Sequence, residues 1–356
     1  MVLIGSIPVL FAQRWVFVVL ATLYAIALLY MAFRPERDIS DWTSRALNPW
    51  NQHPHNDRFG ALDISGLFQV PLVPVDAENF TDPAGKTYTL PYFSPQVPEF
   101  TKPPMDGPGE LLNSTSPNRL KPWPTFGRLN HYLFAKIHGY DYKFIRARES
   151  RVRQATWCKV PAMRQQLTHY RFVVFVDADT IFPYLYLPLG WLFNYWNINP
   201  ETLVALARDP EDPVNNDDRG RTYLNTGFVI AHRSSRTEEL FKAWDECSTG
   251  IRYPSRVRWS YNWPHEQAAF GSHIRYDFNR LQDVKVLLCA EANGCPEAAH
   301  MGCMGRLVRH YWYGKTLVPV AVQESILQSL APPLHELFLQ EYKEQSDKFQ
   351  IDEEVD

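Results

Sequence analysis

The sequence predicts an α/β protein, an open sheet flanked by helices and preceded by one membrane-spanning helix. Three observations predict it. Short apolar, β-branched runs alternate with segments of helical periodicity, the rhythm of βαβ units and right-handed crossovers. One such run, Phe172–Val176, ends in two carboxylates, Asp177 and Asp179, where open α/β sheets bind their ligands. Nineteen uncharged residues, Trp15–Phe33, stand between Arg14 and Arg34.

As a helix that last segment would span about 28 Å, close to the hydrocarbon thickness of a bilayer. It is longer than a usual signal-peptide core, and no small-x-small cleavage site follows it. Residues 1–14 are then a cytoplasmic terminus and 15–33 an anchor. Arg14 faces Arg34 and Arg37 across the span, nearly a tie by the positive-inside rule. The sequons Asn79-Phe80-Thr81 and Asn113-Ser114-Thr115 favour a lumenal body.

From Arg34 to Pro117 the chain holds thirteen of its 28 prolines and no helical periodicity. Residues 34–118 read as a Pro-rich stem whose apolar patches, Leu67–Val75 and Tyr88–Phe93, pack partly on the body. The globular part runs from 119 to 322. Leu129–His138 has helical periodicity and stops at Gly139, a natural C′ residue. Asp141–Arg146 reads as a strand, Thr156 as the cap of a helix through Lys159–His169, and Phe172–Val176 as a strand buried on both faces. A helix around Leu189–Trp196, strands at Thr202–Ala207 and Tyr223–Ala231, and an amphipathic helix at Arg236–Cys247 follow. Pro264 suits the first position of a helix presenting Glu266 and Gln267. Residues 323–356 read as a C-terminal helix, Glu324–Tyr342, and an acidic tail.

The net charge of −3 leaves no electrostatic footprint for nucleic acid. Five cysteines show no zinc spacing. Cys289, Cys295 and Cys303 cluster, and in an oxidising compartment one or two disulfides would staple them, in a pairing that spacing does not assign.

Asp177 and Asp179 suggest a hard divalent cation, Mg²⁺ or Mn²⁺, holding a phosphate-bearing ligand. Residues i and i+2 of an extended strand lie roughly 6–7 Å apart, so both serve one ion only if the chain turns at Ala178. His310 can add a neutral imidazole nitrogen, and Lys315, past Gly314, a compact cation for a phosphate. Gly227 beside Asn225 marks a bulge or a close backbone approach. Trp259, Tyr261 and Trp263 offer apolar faces to a ligand.

Residues 128–315 resemble glycosyltransferase family 34, which holds fungal α-galactosyl- and α-1,6-mannosyltransferases and plant xyloglucan xylosyltransferases. The matching pieces stand in family order: AKIHGYDY (135–142), W-x-K-V-P-A (157–162), the strand into Asp177-Ala178-Asp179, Leu224-Asn225-Thr226-Gly227, Glu266-Gln267, and HYWYGK with His310 and Lys315. The resemblance implies a GT-A fold, a Rossmann-like mixed sheet. It implies a Mn²⁺- or Mg²⁺-dependent hexosyltransferase that takes a UDP- or GDP-hexose to an oligosaccharide acceptor with retention. Asp177, Asp179 and His310 become metal ligands. Lys315, Gly314, Asp177 and Lys159 fall on the nucleotide-sugar side, with Trp157 in the same half. Glu266 orients hydroxyls, Gln267 lies near the anomeric carbon, and Asn225 lines the site. The family setting is a single-pass type II Golgi membrane protein with a lumenal catalytic domain, alone or as a homo- or hetero-oligomer.

One departure stands out. The family domain starts with an apolar strand that cradles the base, and here that place holds NSTSPNRLKPWPTFG (113–127), which has no strand pattern. It motivates the alternative of a GT-A-fold pseudoenzyme that binds glycans without transfer. A haloacid-dehalogenase phosphatase, the other enzyme class whose strand ends in D-x-D, is disfavoured by Ile181 and by the early acidic pair Asp217-Asp218.

Overall fold

The computed structural model describes residues 71–92, 122–145 and 152–344. The expected span Trp15–Phe33, the sequon at Asn113 and the acidic end lie outside the described residues. No helix among the described residues is long and apolar enough to cross a membrane.

In chain order, a hairpin of β1 (Asn79–Thr81) and β2 (Thr87–Thr89) precedes helix α1 (Pro122–His138). A 3₁₀ turn, Ala155–Cys158, leads into α2 (Lys159–Gln166), followed by β3 (Phe172–Val176) and the two-residue β4 (Thr180–Ile181). Then come α3 (Leu189–Tyr195), β5 (Val204–Arg208), β6 (Leu224–His232) and α4 (Ser235–Cys247). Short helices α5 (Glu266–Ala269) and α6 (Arg275–Asp277) are joined by a π turn, Phe270–Ile274. β7 (Val284–Leu287), α7 (Cys289–Ala292), β8 (Arg309–His310) and α8 (Val318–Glu344) complete the fold.

The main sheet has the order β3-β6-β5-β7 and is mixed. β6 runs antiparallel to both β3 and β5, and only β5 and β7 are parallel. Side chains alternate across it, as the two-residue period of a strand requires. Val204, Leu206, Val229 and Ala231 enter one core with Trp157, Phe241 and Trp244. Ala205, Ala207, Phe228 and Ile230 enter the other with Trp191, Leu192 and Phe193. Long apolar runs are thus strands buried on both faces. β3 departs from that expectation: all five of its residues are half-buried, because it is the outer strand of the sheet among the described residues.

Three expected elements differ. Residues 141–145 form no strand. Thr156 does not cap α2, whose N-cap is Cys158; it lies inside the 155–158 turn, which Gln154 caps by accepting from Ala155 N. Helix α5 starts at Glu266, so Pro264 lies two residues outside it, followed by His265 at φ 56°. Conversely, α1 begins at Pro122, well before Leu129, so part of the stretch without strand pattern is helical. Proline fits the first turn because its missing N–H has no partner there.

The part of the stem sequence that is described lies against the body. Val73 N donates to Tyr186 O, Trp191 Nε1 to Ala77 O and Asn194 Nδ2 to Val75 O. Phe80 packs edge-on to Trp191 and Tyr184. Asn79 of the first sequon is exposed.

Helix α1 is the clamp on the carboxylate turn. Gly127, Asn130, His131 and Phe134 share one face, at helical spacing. A Cβ on Gly127 would sit 1.9 Å from Ala178 O, so only glycine lets the helix approach the turn. Asn130 takes both sides of the Phe182 backbone, accepting from its N at 2.7 Å and donating to its O at 3.0 Å. His131 Nε2 donates to Thr180 O at 2.6 Å, and Phe134 stacks on Phe182 at 3.8 Å between centroids.

Burial lowers the pKa of both His131 and His138 to about 4, so each ring is neutral in the folded chain at neutral pH. A histidine with a depressed folded pKa gives stability that is complete above its unfolded value near 6.5 and is lost as pH falls toward 4. The loss should reach on the order of 3 kcal/mol per ring. Urea unfolding at pH 7, 5.5 and 4 measures it. The His131→Gln/His138→Gln variant should show a flatter profile over that window; a profile as steep as the parent's would refute the assignment.

Candidate active site

Four sequence-distant segments converge at the carboxyl ends of β3 and β5. Asp177 N continues the ladder of β3 by donating to Gly227 O at 2.8 Å. The chain then turns at Ala178, as one shared ion demands, and Thr180 N closes the turn on Asp177 O at 2.8 Å. β4 pairs Thr180 with His310 and Ile181 with Arg309, while Tyr311 N donates to Asp179 O. This two-residue sheet sets His310 beside the carboxylates. One ligand atom each of Asp177, Asp179 and His310 lies within 4.8 Å of the other two.

Asp179 is buried between two basic groups, His310 Nε2 at 3.4 Å from Oδ1 and Lys315 Nζ at 2.6 Å from Oδ2. Burial alone would raise its pKa, but His310 and Lys315 hold the carboxyl well below the usual carboxylate range. Lys315 follows Gly314, which sits at φ 80° where glycine is at ease, and its ammonium also lies over Trp123. Its side chain is 46% exposed, whereas Asp179 is at 6%. The corner therefore opens to solvent on the Lys315 side.

The donor set fits a hard divalent ion. Asn293 Oδ1 takes three donors: Gly294 N at 2.9 Å, Trp312 Nε1 at 3.0 Å and His310 Nδ1 at 3.2 Å. Backbone and indole N–H groups only donate, so the atom facing His310 Nδ1 is the amide oxygen and Nδ1 carries the proton. That leaves Nε2 to face Asp179 Oδ1 at 3.4 Å, where a second ring proton or a divalent cation can lie between nitrogen and carboxylate.

A second corner joins the first through Lys159. Its buried ammonium lies 3.2 Å from Asp177 Oδ2, 3.2 Å from Glu266 Oε1 and 3.1 Å from Thr226 O. Burial would lower its pKa, and the two carboxylates more than reverse that. Lys159 is thus buried between two carboxylates, and Glu266 Oε1 already faces Lys159 Nζ and Thr226 Oγ1. Burial pushes the Glu266 carboxyl up, while Lys159 and the hydroxyls of Thr156 and Thr226 bring it below its usual value. Trp244 Nε1 bonds Glu266 O at 2.8 Å, tying α5 to α4.

Gln267 and Asn225 meet at Asp209. Gln267 Nε2 donates to Asp209 Oδ2 at 2.5 Å and its Oε1 accepts from Thr226 N at 3.3 Å. Asn225 Nδ2 donates to Asp209 Oδ1 at 2.9 Å. Burial keeps Asp209 above the usual carboxylate range despite these amides and Asn293. The β5–β6 ladder slips here, between Leu206 and Ala207, leaving Thr226–Phe228 out of register. Such a bulge re-aims side chains. The close approach at Gly227 is to the His310 ring: a Cβ there would lie 2.2 Å from His310 Cε1.

Asp177, Asp179, His310, Lys315, Lys159, Glu266, Gln267 and Asn225 thus fall into two joined corners, whereas Trp157 lies in the core. Two were missed. Asp209 stands one residue past β5, as Asp177 does past β3, and the strand-end rule would have found it. Asn293 carried no motif. Of the expected aromatic faces, Trp259 is core, accepting Trp157 Nε1 at its carbonyl, while Tyr261 and Trp263 are exposed.

No protein-family model matches the chain, and no curated protein matches it in sequence. Among solved structures it is similar to a glycosyltransferase involved in the glycosylation of the major capsid of PBCV-1, with 13% identity over 58% of this chain and 96% of that one, at a TM-score of 0.43. It is also similar to mouse xyloside xylosyltransferase 1 in its apo form, with 16% identity over 45% of this chain and 65% of that one, at a TM-score of 0.31. At these values the likeness carries no residue-level argument.

Proposed function

We propose that this chain is a metal-dependent glycosyltransferase of the GT-A type, anchored in the Golgi membrane with a lumenal body, that moves a hexose from a UDP- or GDP-sugar to a glycan acceptor with retention. One observation carries the reading: the buried Asp179–His310 pair with Asp177 and Lys315 forms a cation corner joined through Lys159 to the Glu266–Gln267 corner. Asp177, Asp179 and His310 would hold Mn²⁺ or Mg²⁺, which supplies charge neutralisation for a departing diphosphate. Lys315, half-exposed, can leave Asp179 for a phosphate oxygen and add to that neutralisation. Gln267 and Asn225, their amides fixed by Asp209, present their edges to the sugar. Glu266 acts through Lys159, holding it between the two corners. A disulfide between Cys289 and Cys303 supports an oxidising compartment.

A nucleotide-sugar panel assayed with Mn²⁺ and with excess chelator tests the reading. Turnover of at least one UDP- or GDP-hexose that disappears with chelator is the expected result. The pseudoenzyme reading draws on one observation, the helical character of 122–127, where the resemblance expects a strand. Thermal stabilisation by Mn²⁺ plus nucleotide without turnover would favour it, and no response to any nucleotide would sink both.

A further inference from the structure

Asn293 is fully buried and belongs to neither the metal ligands nor the sugar-facing amides, yet it bonds His310 on one side and, on the other, Asp209, which holds those amides. Its amide oxygen accepts from His310 Nδ1 at 3.2 Å and its amide nitrogen donates to Asp209 Oδ1 at 3.2 Å and to Arg208 O at 3.1 Å. Every partner of the oxygen besides the imidazole is a pure donor, and both partners of the nitrogen are acceptors, so the amide has one orientation consistent with all its contacts.

The loop that carries it is pinned on both sides. Asn293 follows α7, whose first residue is bonded to Cys303. Gly294, at φ 74°, pairs with Met304 and accepts His310 N at 2.7 Å. A Cβ on Gly294 would lie 2.1 Å from Cys303 O, and one on Gly305 would lie 2.2 Å from Gly294 O. The backbone on either side of Asn293 cannot shift without moving β8, the strand of His310.

We infer that Asn293 is a positioning residue which fixes His310 as the Nδ1–H tautomer, leaving Nε2 for a divalent cation, and which ties that corner to the Asp209–Gln267 corner through its amide nitrogen. The inference rests on the metal-dependent reading above. A partner that holds the far nitrogen of a ligating histidine sets its tautomer and ring angle, and losing it lowers metal affinity by roughly 10–100-fold. The two ends of the amide separate by substitution. Asn293→Ala removes both. Asn293→Asp keeps an acceptor for His310 and Trp312 but puts a carboxylate against Asp209.

The test uses the full-length chain in detergent, with Mn²⁺ binding followed by electron paramagnetic resonance and the tautomer of His310 read from histidine-selective NMR of the Mg²⁺-loaded protein. The parent should show the Nδ1–H tautomer. Asn293→Ala should lose it and bind Mn²⁺ about 10–100-fold more weakly. Asn293→Asp should keep Mn²⁺ affinity within a few-fold while kcat falls, and it remains informative if the alanine variant fails to fold. An Nε2–H tautomer in the parent, or Mn²⁺ affinity unchanged in a folded Asn293→Ala, would overturn the inference. A parent that binds no Mn²⁺ would instead overturn the function proposed above.

Discussion

Replacing Asp179 with asparagine should lower metal-dependent turnover by a factor on the order of a thousand while the chain stays folded. The reason lies in what its two oxygens do. Oδ1 faces His310 Nε2 at 3.4 Å and Oδ2 holds Lys315 Nζ at 2.6 Å, so one carboxylate collects the charge of the whole corner. An asparagine of the same shape offers a neutral oxygen and an N–H₂ that opposes either His310 or Lys315. The fold has other supports at this point. Asp179 O still accepts Tyr311 N, β4 still pairs with β8, and α1 still holds Thr180 and Phe182. Activity against Mn²⁺ concentration, with a thermal melt of the same sample, measures both halves. Parent-like turnover in the variant would remove Asp179 from the metal set and with it the proposed chemistry.

Lys159→Met should destabilise the fold by about 3–5 kcal/mol, the usual consequence of removing one partner from a buried charge cluster. Asp177 is one-third exposed and can recover water, so most of the effect falls on Glu266, whose side chain is 4% exposed. The sign with pH is distinctive. In the parent, Lys159 keeps the Glu266 carboxyl below its usual value, so its stability is present above about 4.5 and fades as pH falls. In the variant, burial acts on Glu266 without a cation and raises its pKa, so the destabilisation is greatest at neutral pH and shrinks as acid protonates the group. Urea unfolding at pH 7 and pH 5 should show the gap narrowing. The double variant Lys159→Met/Glu266→Gln should recover part of the loss, since the carboxylate left unpaired is gone. A gap below 1 kcal/mol, or one that does not change with pH, would mean that Lys159 carries no such load.

Much of this was legible because it depends on local pattern. The alternation of Phe172–Val176, Val204–Arg208 and Leu224–His232 follows from side chains pointing to opposite faces. The end of a strand at a pair of carboxylates implies a turn at Ala178, and the turn is there. His310 and Lys315 were picked out by chemistry and order in the chain. What stayed hidden depends on pairing. β6 antiparallel to both neighbours could not be read from a helix–strand rhythm, because crossover length does not report strand direction by itself. Asp141–Arg146 had strand composition without a strand partner among the described residues, and propensity alone does not make a ladder.

Taken alone, the sequence determined the α/β class and the position of the carboxylate turn, since each is written in neighbours a few positions apart. Tertiary structure decided the rest. It placed Lys159 between Asp177 and Glu266, reserved Gly227 for the His310 ring, joined Cys289 to Cys303, and brought Asp209 and Asn293 between the two corners. Those contacts join residues from about 20 to more than 100 positions apart, or turn on which of three cysteines meet. Only the packed chain, with its buried polar groups obliged to find partners, specifies them.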